Sequence, residues 1–371
     1  RLISTILLMF ICIGYMVNVS YGQSSDISAA SAIVMDVKTG RILYHKNMND
    51  KKPMASTTKI MTALLALENS NMKEIAEISK NSVGVEGSSI YLQEGEKLKM
   101  EDLLYGLMLR SGNDSAVAIA NKIAGSTEKF SDMMNQRAKE MGALNTNFKN
   151  PHGLHHPEHY TTAYDLALIS REALLNKDFN TIVKTKLWIA EREGFKYFYN
   201  KNKTLSEYNG GDGVKTGYTK VAGRCLVTSA TRNGMQLVCV VLNAPNWFQD
   251  SYYLLNQAFD KYHPWPVIQE NIPLKTVSIE NGKKETTKII CKENIFIPVT
   301  DEEKNKVVTV LELKEQFSAP IHRGTQLGRA KIYVDNKLFY TAELYSREDI
   351  EVKTFFDRIT DRIKRIPSKN Q

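Results

Sequence analysis

The stretch GGDGVKTGYT, residues 210–219, places a lysine, a threonine and a glycine on a predicted strand with further glycines beside it. Glycines on a strand let the backbone of a bound molecule approach closely. The letters VKTG also occur at residues 37–40, between two β-like runs, where they predict the turn of a β-hairpin. The chain therefore contains two copies of one short motif, and its other motifs have to decide which copy belongs to a functional site.

A serine and a lysine three positions apart, Ser56 and Lys59, open a predicted helix over residues 56–68. Residues at that spacing share one face of a helix, so the amine can reach the hydroxyl. A serine hydroxyl is a poor nucleophile unless a base takes its proton, and a lysine can be that base only when its amine is neutral. Burial and a neighbouring positive charge both lower the pKa of a lysine. The pair therefore predicts a nucleophilic serine with a lysine base.

The order of the motifs selects among several matches to each of them. Residues 126–129 also fit Ser-x-x-Lys, but no Ser-x-Asn follows them before Lys215. Starting from the first Ser-x-x-Lys leaves Ser-x-Asn matches at Ser79 and Ser111. Ser111 lies on a tight loop between two predicted helices, where a side chain can point into a cleft. Because Lys38 precedes every other motif, we assign the second copy of VKTG to the site.

Four segments closely resemble the D-alanyl-D-alanine carboxypeptidases, the low-molecular-mass penicillin-binding proteins. They are ASTTKIMTA at residues 55–63, RSGND at 110–114, NPHGL at 150–154 and GVKTGYT at 213–219. The resemblance extends from about residue 30 to residue 265 and keeps the order of Ser-x-x-Lys, Ser-x-Asn and Lys-Thr-Gly. It implies an α/β (α+β) transpeptidase domain of the penicillin-binding/β-lactamase type, with a mixed sheet and helices.

The resemblance also implies a role for each matching residue. Ser56 would be the acylated nucleophile, Lys59 its general base, and Ser111 the relay of a proton to the leaving amine. The substrate would be a peptidoglycan stem peptide ending in D-Ala-D-Ala, β-lactam antibiotics would acylate the same serine, and no cofactor or metal is implied. The substrate-binding residues would be Asn113 for the amide, Lys215 and Thr216 for the terminal carboxylate, and Gly217 and Tyr218, where the Tyr218 and Ser56 N–H groups form the oxyanion hole.

Two other functions remain open from the sequence. A β-lactamase of the same superfamily would use a glutamate to activate water, and Glu172 matches that kind of segment. Glu172 follows the helix start at residues 161–163 instead of preceding it, so we expect it to be an ordinary helix residue. A catalytically idle protein that binds wall or penicillin is the second alternative. The presence of every expected catalytic side chain favours the active enzyme.

Four histidines crowd one loop, at His152, His155, His156 and His159, and such a cluster could suggest zinc. No cysteine or carboxylate completes a recognised spacing of zinc ligands. We therefore expect a polar loop beside the cleft.

The chain divides into four predicted parts. Residues 1–22 are typical of a secretory signal peptide, with an uncleaved membrane anchor as the alternative. Residues 26–265 form the enzyme domain, which ends at the helix-breaking sequence HPWP, residues 263–266. Short β-like runs predict a small all-β domain over residues 270–346. Residues 347–371 predict an amphipathic helix that lies on a membrane surface or, alternatively, packs on the β domain or makes a helical crystal or oligomer contact.

Composition narrows the partners and the location. A formal net charge of +8 draws an exported protein to anionic surfaces such as phospholipid headgroups or wall polymers. Nucleic acid is not an expected partner, because export argues against it and no binding motif occurs. We expect the protein at the extracytoplasmic face of the membrane or in the cell wall. Cys225 and Cys239 lie out of register on a predicted Asn-Gly hairpin, so we expect both thiols to be free and buried.

Overall fold

The computed structural model describes residues 27–364. The predicted signal peptide, residues 1–22, lies outside the described residues, and so does the end of the predicted tail. Within the described range, no helix is both long and apolar enough to cross a membrane.

A sheet with helices on both of its faces forms the first part of the chain. Its elements are β1 (Ser31–Asp36), β2 (Ile42–Lys46), α1 (Lys59–Asn69), β3 (Ile75–Glu77), β4 (Lys97–Lys99), α2 (Met100–Tyr105), α3 (Asn113–Ala124), α4 (Thr127–Glu140), α5 (Ala163–Leu175), α6 (Lys177–Lys184), β5 (Leu187–Ile189), β6 (Tyr197–Tyr199), α7 (Thr204–Glu207), β7 (Gly211–Thr219), β8 (Gly223–Arg232), β9 (Met235–Leu242) and α8 (Trp247–Lys261).

The main sheet has five strands in the order β2-β1-β9-β8-β7. Its strands are apolar on both faces because helices cover both. On β1, for example, Ile33 and Met35 join the core beneath α1 to α6, whereas Ala32 and Val34 join the core beneath α8. The resemblance implied a mixed sheet, but all four pairings are antiparallel: hairpins join three of the pairs, and β1 and β9 form the fourth.

Both predicted hairpins are confirmed. β1 and β2 pair across a turn that contains the first Lys-Thr-Gly, and β8 and β9 pair across the Asn-Gly turn with Thr228 opposite Cys239. Cys225 and Cys239 are free and buried, as their register predicts. The helix α6 was not predicted, since its apolar residues, Phe179, Ile182 and Val183, cover less than two turns.

The second part of the chain is a β domain, as expected. Its strands are β10 (His263–Ile268), β11 (Lys275–Glu280), β12 (Thr286–Ile290), β13 (Ile295–Val299), β14 (Val307–Leu313), β15 (Phe317–Ser318), β16 (Gln326–Val334) and β17 (Lys337–Ser346). Six of them form one sheet in the order β14-β16-β17-β12-β11-β15. Helix α9 (Phe355–Lys364) follows. The sequence therefore predicts the fold class correctly: a sheet-and-helix domain, then a small β domain, then an amphipathic helix.

The sequence HPWP, which we expected to break the preceding helix and mark a domain boundary, follows the end of α8 and forms most of β10. This strand pairs only with β13, in a separate two-stranded sheet. Proline has no N–H to give to a neighbour, so it is tolerated in strands that lie at an edge. Both Pro264 and Pro266 are therefore compatible with a strand.

Candidate active site

Ser56 lies in a 3₁₀ turn, Ala55–Thr58, that leads directly into α1, and Lys59 is the first residue of that helix. The Ser56 Oγ and Lys59 Nζ atoms are 3.0 Å apart. The Lys59 side chain is completely buried. The predicted pair of a partly exposed hydroxyl and a buried amine is thus in hydrogen-bond contact.

The Lys59 amine also donates to the Asn113 Oδ1 atom at 2.6 Å and to the His152 carbonyl oxygen at 2.6 Å. Asn113 presents its oxygen because its amide nitrogen donates to the Glu86 carbonyl at 2.5 Å. A neutral amine has two N–H bonds and one lone pair. If the two N–H bonds point at these two oxygens, the lone pair is left for the Ser56 hydroxyl.

The charge state of Lys59 suits that arrangement. Burial holds its pKa well below the usual range of a lysine, and the positive charges of Lys215 and Lys201 lower it further, against an opposing effect of Asp114. No carboxylate in the described part of the chain makes an ion pair with this amine. A lowered pKa favours the neutral amine, which is the form of lysine that can accept a proton.

Ser111 follows a π-helical turn, Gly106–Arg110, and has a left-handed backbone with φ of 64°. The side chain is nearly buried. Two residues later, Asn113 begins α3 and contacts Lys59. Asp114 accepts hydrogen bonds from the backbone N–H groups of Ile90 and Leu92 and so holds the neighbouring loop against α3. The tight loop that the sequence predicts is therefore present, and it lies beside the Ser56–Lys59 pair.

The second Lys-Thr-Gly lies on β7, which passes in front of Ser56. A Cβ atom on Gly217 would lie only 2.9 Å from the Ser56 nitrogen and 3.1 Å from the Thr57 nitrogen, so a larger residue would push the strand away. Thr216 precedes this point of contact, and the next side chain, Tyr218, is 62% exposed.

Lys215 is as unusual as Lys59. Its side chain is 1% exposed, and its amine donates to the Thr216 carbonyl oxygen at 2.9 Å. Burial, followed by the charge of Lys201, lowers the pKa of Lys215 to about 7. Within residues 27–364 it has no ion pair with a carboxylate. A buried lysine without a counter-ion is suited to receive a carboxylate from outside the protein.

The first Lys-Thr-Gly lies elsewhere. Lys38, in the β1–β2 turn, makes an ion pair with Glu293 and lies over the ring of Tyr340, both in the β domain. Next to this turn, Arg41 makes two hydrogen bonds to Glu303, at 2.6 Å and 3.0 Å. This copy therefore joins the two parts of the chain and contributes nothing to the cleft.

Sequence reasoning missed three contributors. The His152 carbonyl holds Lys59, but a carbonyl is a backbone group that no motif reveals. Lys201 follows β6 and raises the positive potential at both buried lysines. His159 is buried against Thr58, with 2.8 Å between the His159 Nε2 and Thr58 Oγ1 atoms. The histidine loop provided a signal for His159, which we interpreted only as a polar loop.

Two predictions about neighbouring residues can be compared with the structure. Glu172 lies on α5 and makes an ion pair with Arg137 at 3.1 Å, as expected of an ordinary helix residue. The four histidines do not converge on one point, because His155 is exposed whereas His159 is buried. No group of three possible metal ligands occurs among the described residues.

Comparison with known proteins gives one consistent result. Residues 18–246 match the family model for D-alanyl-D-alanine carboxypeptidase, and residues 262–352 match the model for the penicillin-binding protein 5 C-terminal domain. The D-alanyl-D-alanine carboxypeptidase DacF of Bacillus subtilis is 34% identical, with 88% of this chain and 87% of that protein covered. DacC of Escherichia coli is 31% identical, with 91% and 88% covered.

Solved structures agree with these sequence relatives. The structure of penicillin binding protein 5 from Haemophilus influenzae superposes with a TM-score of 0.69 at 27% identity, covering 88% of this chain and 98% of that one. DacD from Francisella tularensis gives a TM-score of 0.65 at 28% identity, covering 88% and 95%.

Proposed function

This chain belongs to the D-alanyl-D-alanine carboxypeptidase family, and we propose that Ser56, Lys59 and Ser111 carry its reaction while Lys215 and its neighbours bind the substrate. The protein is a serine-type carboxypeptidase that acts on D-Ala-D-Ala peptides of peptidoglycan, and acylation by β-lactams fits its family. The assignment of each residue to a step, the domain limits at 26–265 and 270–346, and the cellular location are our proposals.

In the first step, the Ser56 Oγ atom attacks the carbonyl carbon of the penultimate D-Ala. Lys59 takes the hydroxyl proton as the new C–O bond forms. The negative charge on the carbonyl oxygen is stabilised by the N–H groups of Ser56 and Tyr218. The C–N bond then breaks, and Ser111 relays the proton to the nitrogen of the departing D-Ala. The products of this step are free D-Ala and an ester on Ser56.

In the second step, water attacks the ester carbonyl. Lys59 accepts a proton from that water, and the proton passes to the Ser56 oxygen as the ester bond breaks. The peptide leaves as a carboxylic acid one residue shorter, so Ser56 and Lys59 return to their starting states.

The terminal carboxylate of the substrate supplies the counter-ion that Lys215 lacks. The Thr216 hydroxyl donates a second bond to it, Asn113 holds the substrate amide, and Gly217 lets β7 approach the serine turn closely. The observation that carries the whole proposal is the 3.0 Å contact between the Ser56 hydroxyl and a buried Lys59 amine.

The test is the mass of the intact protein after brief exposure to penicillin, followed by peptide mapping. We expect one penicilloyl adduct on the peptide that contains Ser56, and none on the variant Ser56→Ala. Release of D-Ala from a D-Ala-D-Ala peptide is measured in parallel. Adduct without D-Ala release would leave an idle penicillin-binding protein, and adduct on another residue would overturn the assignment.

The same experiment separates the enzyme from a β-lactamase. Glu172 is occupied by Arg137 on the surface of α5, so no glutamate in the predicted β-lactamase segment is available to activate water. We expect the penicilloyl adduct to persist for much longer than one catalytic cycle with peptide. Rapid loss of the adduct with multiple turnovers of penicillin would support the β-lactamase instead.

We also propose that the protein acts outside the cytoplasm and touches the membrane through α9. The support is the exposure of Phe355 and Phe356, at 73% and 78%, and of Ile359, at 40%, at the start of this helix, together with the basic balance of the chain. Exposed apolar side chains among basic ones favour a position in the headgroup region of an anionic bilayer.

Sedimentation of the full chain with vesicles tests this proposal. We expect binding to vesicles with phosphatidylglycerol and loss of most of that binding in the double variant Phe355→Ser/Phe356→Ser. Equal binding of the variant and the unaltered chain would show that α9 is not the contact.

A further inference from the structure

Ala55, the residue before the nucleophile, has a conformation that needs support. Its φ is 49°, in the left-handed region that residues other than glycine rarely adopt, and its side chain is buried. Gly153 packs directly on the Ala55 carbonyl, since a Cβ atom on Gly153 would lie 2.0 Å from that oxygen. A buried, left-handed residue next to a reactive group indicates that its surroundings hold it in place.

A chain of hydrogen bonds ends on the same carbonyl. The Thr58 hydroxyl donates to the Ala55 oxygen at 2.8 Å. The hydroxyl oxygen in turn lies 2.8 Å from the His159 Nε2 atom. On the other side of the ring, the His159 Nδ1 atom accepts the Lys149 backbone N–H at 3.0 Å.

These contacts determine which atom is the donor in each hydrogen bond of this series. Because Nδ1 accepts a hydrogen bond, the proton of the neutral ring is on Nε2, which donates to the Thr58 oxygen. Burial lowers the pKa of His159 to about 3, so the ring is neutral over the working range of pH. The hydrogen bonds therefore run from His159 to Thr58 and from Thr58 to the Ala55 carbonyl.

The Ala55 carbonyl belongs to the same peptide unit as the Ser56 N–H. A peptide unit is planar, and in the trans form its C=O and N–H point in opposite directions. Fixing the direction of the Ala55 oxygen therefore fixes the direction of the Ser56 N–H, whose nitrogen faces Gly217 on β7. A hydrogen bond to the carbonyl also polarises the peptide unit and makes its N–H a better donor.

We propose that Thr58 and His159 are positioning residues that hold the Ala55–Ser56 peptide unit so that the Ser56 N–H points at the oxyanion of the reaction. This inference rests on the proposed function, in which that N–H is one of the two oxyanion donors. Neither residue touches the substrate; both act through the backbone.

The central test compares three variants of buried threonines by the rate of acylation with a chromogenic β-lactam at saturating concentration. Thr58→Val removes the hydroxyl but keeps the shape of the side chain, whereas Thr58→Ser keeps the hydroxyl. Thr62→Val is the matched control. Thr62, which lies on α1, is also buried, and its hydroxyl also donates to a backbone carbonyl, that of Pro151, at 2.6 Å. Thermal unfolding of each variant verifies that it is folded.

We expect Thr58→Val to slow the acylation step about 10- to 100-fold while the Kd of the initial complex changes less than about threefold, because only the transition state needs the aligned N–H. Thr58→Ser should restore the rate to within about threefold of the unaltered protein, and Thr62→Val should stay in that range too. Loss of stability alone would affect both valine variants alike.

The role of His159 is tested by substitution with glutamine and with asparagine. Each of these side chains keeps only one of the two hydrogen bonds that the imidazole ring makes. His159→Gln places an N–H near the former Nε2 position, so it should keep acylation within about threefold. His159→Asn keeps an acceptor near Nδ1 but loses the donor to Thr58, and it should slow acylation about 3- to 10-fold.

A sulfur-substituted substrate reports on the oxyanion hole itself. Sulfur accepts hydrogen bonds poorly, so an enzyme with an aligned oxyanion hole cleaves an ester substrate much faster than the matching thionoester. The ratio of the two rates should fall about tenfold in Thr58→Val and remain unchanged in Thr62→Val.

The possible failures are distinguishable. If the unaltered protein gives no adduct on Ser56, the proposed function fails. If it does, and Thr58→Val then acylates at the unaltered rate or keeps the unaltered ester-to-thionoester ratio, the positioning role is overturned. An equal loss of rate in Thr62→Val would also overturn it.

Discussion

The two copies of Lys-Thr-Gly have the same side chains and opposite environments. The Lys38 side chain is 34% exposed and makes an ion pair with Glu293. Partial burial lowers the pKa of Lys38, but the contacts with Glu293 and Tyr340 outweigh this effect and raise it. Lys215 is 1% exposed and has no carboxylate partner in the part of the chain that the structure describes, and burial lowers its pKa to about 7. The first lysine forms an ion pair within the protein, whereas the only partner of the second one among the described residues is a backbone carbonyl, that of Thr216.

The difference shows that the same short motif can have different chemistry, depending on whether its lysine has a carboxylate partner within the protein. The first copy lies in a turn where the β domain supplies an acid for each nearby cation, and Arg41 there also stacks between the rings of Tyr262 and Phe339. The second copy lies on a strand that borders the Ser56 turn, and no acid among residues 27–364 makes an ion pair with its amine. An unpaired cation beside a nucleophile is what the binding of a carboxylate substrate requires.

The largest expected effect comes from removing each lysine in turn. In Lys215→Met, the substrate carboxylate loses its charged partner, which costs about 2–5 kcal/mol. That cost corresponds to a fall in kcat/KM of roughly 30- to 5,000-fold for D-Ala release. In Lys38→Met, kcat/KM should change less than about twofold. A similar fall in both variants would mean that the first copy also serves the cleft.

The glycines of the two copies should also differ. A methyl group on Gly217 would press on the Ser56 and Thr57 nitrogens, so Gly217→Ala should slow acylation by about 100-fold through misplacement of the serine turn. Gly40 has φ of +75° in the turn, so Gly40→Ala should cost about 1–2 kcal/mol of stability and leave acylation unchanged. Acylation kinetics and thermal unfolding of both variants distinguish a catalytic from a structural glycine.

The pH dependence of kcat/KM tests whether the charge of Lys215 is needed for activity. Lys215 must be charged to hold a carboxylate, and its pKa is about 7, so its contribution is present below pH 7 and is lost as the pH rises. We expect kcat/KM to fall about tenfold per pH unit above that point, since kcat/KM reports the free enzyme. In Lys215→Arg this decline should move to much higher pH, because arginine stays charged. The same decline in Lys215→Arg would exclude Lys215 as its cause.

The smallest effect concerns the contact of the first hairpin with the β domain. Arg41→Ala and Glu303→Ala should each lower the free energy of unfolding by about 1–3 kcal/mol, and the double variant by less than the sum. Lys283→Ala, which breaks an exposed ion pair with Glu351, should lower it much less than either of these variants. Activity on a soluble peptide should stay the same in all of them. Additive losses would show that Arg41 and Glu303 are not coupled.

Much of the fold is predictable because the strands of the main sheet are long, apolar and joined by recognisable turns. The Asn-Gly turn predicted the pairing of Thr228 with Cys239, and the order of the motifs selected the Lys-Thr-Gly that lies beside the Ser56 turn in the structure. The strand β10 was not predictable in the same way, because Pro264 and Pro266 usually end an element. They fit here only because β10 has a single neighbour.

The structure brings the predicted Ser56, Lys59 and Asn113 side chains into contact, but the sequence did not predict the electrostatic environment around them. The identity of Lys215 follows from its motif, whereas its unusual pKa follows from burial and from Lys201, which no motif includes. Every residue has a backbone carbonyl, so the sequence does not reveal that the one that contacts Lys59 belongs to His152. The contact of His159 with Thr58 joins positions that are close only in the folded chain.

The strand order β2-β1-β9-β8-β7 has a consequence for biogenesis. The first strand of the chain lies between the second and the last strand of its sheet, so the sheet stays open until β9 has been synthesised. Pairings between such distant segments form slowly. Ser56 emerges early, but β7, which borders it, emerges after all the helices from α1 to α7. The contact between β7 and the Ser56 turn can therefore form only late in synthesis, after nearly all of the first domain has been made.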